Sequence, residues 1–178
     1  MNTVLLGNII ATIGAIIMVC IGLIRSKRNI LLAQSLQFLI MGIGNLVLGG
    51  FSGFLSNMLG ITRNLVCLRW NLNTPLKVLF IALQTALTLL INHEGWTAFL
   101  PVIAATAFTL VLDTENVLLV KSVIIVGQIC WTIYDLSIRN YASAAFDIFT
   151  IVSNLAGIIM ICRKKNSQTQ EATGGPVD

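Results

Sequence analysis

The polar side chains best suited to chemistry lie where the sequence is otherwise apolar. In the segment 127–165, Gln128, Asp135, Asp147 and Asn154 interrupt long runs of hydrophobic residues. A carboxylate placed in lipid costs from about 3 to well over 10 kcal/mol, so intramembrane polar residues usually face a bundle interior or a watery cavity. These four side chains therefore predict a polar interior, where a solute or a proton could bind.

A segment ninety residues earlier repeats this polar pattern. Aligned without a gap, the polar residues pair as Asn45 with Asp135, Asn57 with Asp147, and Asn64 with Asn154. A chance arrangement of apolar helices would have no reason to repeat polar positions at one fixed offset. The pairing predicts an internal duplication that organises the whole chain.

The composition is that of an integral membrane protein. Of the 178 residues, 56% are hydrophobic and 10% are charged, and the mean hydropathy is +0.89. Soluble domains are nearer 25% charged. Because a helix needs about 20 residues to cross a bilayer, the chain has room for roughly seven spans. The net charge of +4 then indicates basic loops at a lipid bilayer, and no nucleic-acid partner is predicted.

Seven apolar segments are predicted to span the membrane. They are Val4–Ile24, Asn29–Leu48, Phe51–Leu68, Leu76–Ile91, Trp96–Leu112, Val117–Leu136 and Tyr141–Cys162. The first has no basic region before it and no A-x-A site, so it is predicted to be retained and not cleaved as a signal peptide. The polar tail 166–178 is predicted to be disordered.

The basic residues give this arrangement an orientation. One set of loops and the tail hold nine of them, namely Arg25, Lys27, Arg28, Arg69, Lys77, Lys121, Arg163, Lys164 and Lys165. The opposite loops hold only Arg139. The positive-inside rule therefore predicts an N-terminus outside and a C-terminus inside.

The offset also predicts the architecture. Shifting the first three spans by ninety residues places them on the fifth, sixth and seventh, and leaves the fourth without a partner. We therefore expect an all-α membrane protein with a 3+1+3 parallel repeat: residues 1–73, a linker helix at 74–94, and residues 95–165. In transporters built from such parallel repeats the binding site lies near mid-membrane, between the repeats.

This plan resembles that of the SWEET and SemiSWEET sugar facilitators and the PnuC vitamin carriers. The stretches W-x-x-Y-D at Trp131–Asp135 and S-N-x-x-G at Ser153–Gly157 more closely resemble the YgjV family of bacterial inner-membrane proteins, over nearly the whole chain. The resemblance implies the fold and an inner-membrane location. The SWEET resemblance further implies that Asn64 and Asn154 face a substrate.

Helical spacing groups the candidate site residues. Asn57 and Asn64 lie seven residues apart and share a helix face, as do Asp147 and Asn154. If the third and seventh helices face each other, these four side chains form two polar tiers. The other candidates that share faces are Gln34 with Gln37, and Gln128 with Trp131 and Asp135. The alternative is that the amides only hydrogen-bond between helices and stabilise their assembly.

Three candidates have open interpretations. Arg63 either extends to the membrane surface, pairs with Asp147 or Asp135, or meets an anionic substrate. Trp131 is a stacking platform or a core aromatic. Asp147 either responds to protons or is the structural partner of Arg63. His93 is expected to be solvated.

Sequence motifs of enzymes are not found. The chain has no P-loop, H-E-x-x-H, G-x-S-x-G or dinucleotide fingerprint, and its four cysteines lack metal-ligand spacing. We therefore predict no enzyme activity, no cofactor and no metal. The favoured function is a carrier for a small polar molecule; the alternative is a membrane accessory or sensor protein. A homo-oligomer is left open.

Overall fold

The described part of the chain folds into seven α-helices, as predicted. The structure is a computed structural model that describes residues 2–21, 26–70, 72–111 and 114–173, with the backbone alone described at Lys27 and at residues 164–173. The helices are α1 Thr3–Ile21, α2 Lys27–Val47, α3 Phe51–Cys67, α4 Thr74–Ile91, α5 Phe99–Val111, α6 Val117–Ser137 and α7 Tyr141–Thr173. A 3₁₀ turn at Gly95–Ala98 precedes α5.

Asparagine caps begin two of these helices. Asn73 Oδ1 accepts a hydrogen bond from Leu76 N at 3.2 Å, and Asn116 Oδ1 accepts one from Leu119 N at 3.1 Å. The fifth helix begins later than predicted because residues Gly95–Ala98 adopt the 3₁₀ turn. The predicted span ends at Ile24 and Leu112 lie outside the described residues.

Five helices are long and apolar enough to cross a membrane. They are α1, α2 from Arg28, α4, α6 and α7 up to Arg163. The segment Gly95–Val111 is a shorter apolar helix. Helix α3 has 17 residues, about 25 Å of rise, against about 30 Å of hydrocarbon. Full spanning by α3 and α5 therefore stays a prediction.

The bundle has apolar side chains outside and polar side chains inside. Val19 of α1 is 63% exposed and Phe149 of α7 is 69% exposed, whereas Asn64 and Asp135 are each 3% exposed. A soluble protein shows the opposite tendency, because charged and amide groups are rarely buried there. This distribution fits a protein whose outer surface meets lipid.

The order of helices around the bundle follows the chain within each half. Helices α1, α2 and α3 pack consecutively, as do α5, α6 and α7, and the halves meet where α1 contacts α7 and α3 contacts α5. Helix α4 packs against α3 and α5. The small residues Gly7, Ala11 and Ala15 of α1 are buried. A Cβ on Gly44 of α2 would lie 3.4 Å from Gly7 O, so these two backbones approach closely.

The turns that lead into α3 and α7 have the same geometry, ninety residues apart. Gly49 has φ +82° and Arg139 has φ +62°, a left-handed conformation that glycine adopts easily and arginine does not. In each turn an amide bonds back to the preceding helix: Gly50 N to Asn45 O and Asn140 N to Asp135 O, both at 2.8 Å. Helices α2 and α6 have 21 residues each, and their bounds also differ by ninety.

The C-terminal residues continue the last helix. The segment 166–178 was expected to be disordered, but α7 extends to Thr173, and residues 174–178 lie outside the described part of the chain. Polar residues with good helix propensity, such as Gln168, Gln170 and Glu171, are compatible with this continuation.

Candidate functional site

A cavity of about 340 Å³ lies in the middle of the bundle. Helices α2–α7 line it, with Met18 from α1. Its polar lining consists of Gln34, Gln37, Ser56, Asn57, Arg63, Gln84, Thr109, Gln128, Thr150 and Asn154; its aromatic lining consists of Phe38, Phe80, Phe108 and Trp131. This volume is at the small end of the range for ligand pockets, and a largely apolar wall with a few polar groups is typical of such sites.

The face that α3 presents to the cavity is rotated relative to the prediction. Ser56, Leu59, Gly60 and Arg63 follow the helical i, i+3, i+4, i+7 spacing and all line the cavity. Asn57 lies at the edge of this helix face and also lines the cavity. Asn64, one position beyond Arg63, is buried toward α2, where its Nδ2 lies 3.5 Å from Leu31 O.

Arg63 reaches α5 and not the aspartates of the other half. Its Nη1 donates a hydrogen bond to Thr109 Oγ1 at 3.2 Å, and its guanidinium carbon lies 5.3 Å from the centre of the Phe108 ring. The side chain is 7% exposed. Arg63 therefore lies inside the bundle. The interpretation in which it extends to the membrane surface is wrong.

Two cavity residues have unused hydrogen-bonding atoms. Arg63 Nε and Gln128 Oε1 are buried and have no hydrogen-bond partner among the described residues. Buried polar atoms are nearly always paired, so each such atom calls for a physical explanation. A donor and an acceptor in one cavity would both be satisfied by a bound polar molecule or by water.

The linker helix contributes to the cavity, which the sequence reasoning did not foresee. Gln84 of α4 is 6% exposed and donates from Nε2 to Ser56 Oγ at 2.8 Å and to Pro101 O at 3.3 Å. It thereby connects α4 to both α3 and α5. The sequence alone could have identified Gln84 as a candidate, because a polar side chain in an otherwise apolar membrane segment usually faces the bundle interior.

A second group of residues, mostly buried and mostly polar, lies between the cavity and the end of the bundle where α2 turns into α3 and α6 turns into α7. We call it the turn-end cluster; its members are Asn45, Gly53, Glu94, Tyr134, Asp135, Asn140, Ser143 and Asp147. The wholly buried Tyr134 accepts a hydrogen bond on its hydroxyl from Gly53 N at 2.7 Å, which joins α6 to α3.

Glu94 belongs to this cluster, although it directly follows His93, which was expected to be solvated. Its Oε1 accepts a hydrogen bond from Ser52 N at 2.9 Å, which satisfies an amide in the first turn of α3. The Tyr134 hydroxyl lies beside the same carboxyl group. His93 itself is exposed, as predicted.

The two aspartates face each other in the turn-end cluster. The Asp135 carboxyl lies close to the Asp147 carboxyl and to Ser143, and one oxygen of each aspartate is buried without a hydrogen-bond partner among the described residues. Nearby, the fully buried Asn140 donates from Nδ2 to Asn45 Oδ1 at 2.9 Å and so joins the two halves of the chain. The interpretation in which Arg63 pairs with Asp147 or Asp135 is therefore wrong, because Arg63 donates to Thr109 instead.

The structure thus brings together seven of the ten predicted site residues. The seven that line the cavity are Gln34, Gln37, Asn57, Arg63, Gln128, Trp131 and Asn154. Asp135 and Asp147 lie in the turn-end cluster, and Asn64 lies against α2. The predicted tiers therefore mix two environments. Residues of α3 and α7 both line the cavity, but Asn64 is turned toward α2 and Asp147 lies in the turn-end cluster.

Comparisons with known proteins support the family suggested by the sequence motifs. Neither the comparison with curated proteins nor the comparison with solved structures gave a match. The family model for Imp-YgjV, a bacterial inner membrane protein, matches residues 5–165 and so covers all but the first two residues of α1, all of α2–α6, and α7 up to its basic residues. Together with the apolar outer surface and the long apolar helices, this match shows that the chain belongs to the Imp-YgjV family of bacterial inner membrane proteins.

Proposed function

We propose that this protein is a carrier for a small polar solute, which binds in the mid-bundle cavity. The observation that carries the proposal is the pair of unpartnered atoms on residues that line that cavity, Arg63 Nε of α3 and Gln128 Oε1 of α6. A bundle that only needed to assemble would have no use for a donor and an acceptor without partners. A solute that bonds to both would satisfy them.

The cavity's position between two similar halves supports the same function. We propose a 3+1+3 parallel repeat, α1–α3 and α5–α7 with α4 as linker, related by an axis along the membrane normal. The matching turns at Gly49 and Arg139 and the equal bounds of α2 and α6 favour it. In transporters with such repeats the site lies at the repeat interface near mid-membrane. The architectural kinship with SWEET and PnuC carriers is part of this proposal.

The charge distribution suggests which end faces the cytoplasm. The described basic residues Arg28, Arg69, Lys121 and Arg163 lie at the end of the bundle remote from the turn-end cluster, whereas Arg139 lies in the turn next to that cluster. By the positive-inside rule, the turn-end cluster lies on the periplasmic side. The cluster then lies between the cavity and the periplasmic turns α2–α3 and α6–α7. It closes the periplasmic end of the cavity, as one gate of a carrier would.

A second candidate is a membrane accessory or sensor protein. It is favoured by the hydrogen bonds that join helices directly, such as Asn140 to Asn45 and Gln84 to Ser56. Interhelical bonds of this kind contribute about 0.6–2 kcal/mol each and need no solute to explain them. The two candidates differ in whether the cavity binds a small molecule and is reached from both sides of the membrane.

A ligand screen by thermal shift on the purified protein tests the carrier, and a pair of variants tests the site. Asn154 lines the cavity and its Nδ2 is held by Thr150 O at 2.9 Å, which leaves its carbonyl oxygen for a solute. We expect Asn154→Ala to weaken binding of the ligand found in the screen about two- to tenfold, the loss of one hydrogen bond worth about 0.5–1.5 kcal/mol.

Asn64→Ala is the matched control, because Asn64 occupies the equivalent position of the other half but lies outside the cavity lining. We expect this variant to bind the ligand normally and to lose some thermal stability. Equal binding by wild type and Asn154→Ala would contradict the proposed site. A weakening by Asn64→Ala as large as that by Asn154→Ala would restore the symmetrical site predicted from the repeat.

A further inference from the structure

The charge balance of the cavity points to the class of solute. Within the described part of the chain, Arg63 is the one charged residue that lines it. Arginine keeps its charge in proteins, and a buried charge is costly when it lacks a partner of opposite sign. The contact with Phe108 compensates only part of this cost, since an aromatic ring stabilises a cation less than an ion of opposite charge does.

The geometry of the guanidinium leaves room for an anion. Nη1 is engaged with Thr109 Oγ1, while Nε is buried without a partner among the described atoms. The edge that contains Nε is one of the edges through which arginine binds a carboxylate with two parallel hydrogen bonds. The Thr109 hydroxyl in turn donates to Ala105 O at 2.7 Å. This bond fixes the position of the hydroxyl oxygen that accepts from Arg63.

A second cation, Lys121, lies between α6 and α7, about one helical turn beyond the residues of these helices that line the cavity. A Cβ built on Gly157 of α7 would lie 2.8 Å from Lys121 Nζ, so this ammonium group rests against the helix backbone there. Gly157 follows Asn154 by three residues, about one helical turn. The field of a positive group near the cavity raises the local concentration of anions.

The aromatic residues of the lining and the cavity volume indicate the size and polarity of the uncharged part of the anion, which we call its body. Phe38, Phe80 and Trp131 line the cavity, and the volume of about 340 Å³ limits a solute to a small molecule. Trp131 is held edge-on against Tyr134, with ring centres 5.7 Å apart, and so presents a fixed apolar surface. A carboxylate with a compact apolar or ring-shaped body matches both the charge and the walls.

We propose that the cavity selects small organic monocarboxylates, with the carboxylate on Arg63 and the apolar body among Phe38, Phe80 and Trp131. This inference rests on the proposed carrier function and names its substrate class. Gln128 Oε1 is an acceptor, so it favours solutes that also carry a hydroxyl or N–H donor on the body.

The test compares acids with amides of the same shape. Binding to the purified protein in detergent is measured by isothermal titration calorimetry for benzoate against benzamide and for 4-hydroxybenzoate against 4-hydroxybenzamide. We expect the wild type to bind each acid at least tenfold more tightly than its amide, because hydrogen bonds to charged groups are worth about twice those between neutral groups.

Variants of Arg63 identify the group responsible. Arg63→Gln keeps a donor for Thr109 but removes the charge, and is expected to abolish the preference for acids over amides. Arg63→Lys keeps the charge and serves if the first variant does not fold; it is expected to retain the preference with weaker affinity. Arg69→Gln, an exposed arginine in the turn after α3, is the control and should behave as wild type.

Two results would overturn the inference, and they are distinct from failure of the carrier. If the amides bind as tightly as the acids and Asn154→Ala weakens both, the cavity is a carrier site for neutral solutes. If neither acid shows saturable binding to the wild type, monocarboxylates are not its ligands. The proposal that the protein is a carrier is then still tested by the thermal-shift screen and by labelling a cysteine introduced into the cavity wall.

Discussion

Replacing Gly53 by Ala is expected to destabilise the protein by about 2–4 kcal/mol, which is large for the addition of one methyl group. A Cβ at this position would lie 2.5 Å from Asn45 Nδ2, 2.6 Å from Tyr134 Cε1 and 2.9 Å from the Tyr134 hydroxyl oxygen. Tyr134 is wholly buried and cannot move aside easily. Overpacking costs about 1–3 kcal/mol, and displacement of Tyr134 would also leave Gly53 N–H without its acceptor.

The measurement is the thermal unfolding of Gly53→Ala in detergent, and the chain offers a matched control. A Cβ on Gly127 would lie 3.7 Å from Ala104 Cβ, an ordinary contact, so Gly127→Ala should be nearly as stable as wild type. Tyr134→Phe should destabilise by about 1–3 kcal/mol, because it removes the acceptor without adding volume. If Gly53→Ala were as stable as Gly127→Ala, the close α3–α6 contact would not exist.

Replacing Asp147 by Asn is expected to uncouple uptake from an imposed proton gradient. Asp147 and Asp135 bring two carboxyl groups together in a buried site, and carboxyl pairs of this kind are recurrent sites of proton exchange in proteins. The other titratable groups of this cluster are Tyr134 and Glu94. Asn is similar in shape to Asp and can donate to the Asp135 carboxyl, but it cannot release a proton.

The measurement is uptake, in proteoliposomes, of the solute identified by the thermal-shift screen. An inward proton gradient should accelerate uptake several-fold in the wild type and leave Asp147→Asn unchanged, while exchange without a gradient continues in both. Glu115→Gln, at an exposed acidic residue before α6, should keep the wild-type response. Indifference of the wild type to pH from about 5 to 8 would remove the proton role and leave the carboxyl pair a structural one.

The helices and their turns were predictable because their signals are local. Apolar runs bounded by glycine, asparagine and charged residues placed the starts of α3, α6 and α7 at Phe51, Val117 and Tyr141, as the structure has them. The alignment of Gly49 with Arg139 also follows from the ninety-residue offset, although the left-handed conformation that they share is visible only in the structure.

The rotation of α3 and the two polar environments were not predictable from spacing alone. Spacing puts Asn57 and Asn64 on one face, but the side chains of other helices decide which part of that face meets the cavity, and they favour Ser56 and Arg63. The partners that position Glu94 and Gln84 lie 42 and 28 residues away in the chain. Such contacts depend on the tertiary packing and have no signature in the local sequence.

The central claim, that the mid-bundle cavity belongs to a carrier, can be tested without knowing the solute. Thr150→Cys places a thiol in the cavity wall, in a background in which the cysteines at 20, 67, 130 and 162 are replaced. Val152→Cys is the control, because Val152 lies on the same helix and is 58% exposed on its outer face. Each variant is labelled with a membrane-impermeant thiol reagent, once from the periplasmic side and once in inverted vesicles.

A carrier must open its cavity to each side in turn. We therefore predict that the thiol at position 150 is labelled from both sides, and that the thiol at position 152 is labelled from neither, since lipid covers it. Labelling of position 150 from one side alone, or from neither, would contradict the account and indicate a closed bundle whose polar residues serve its assembly.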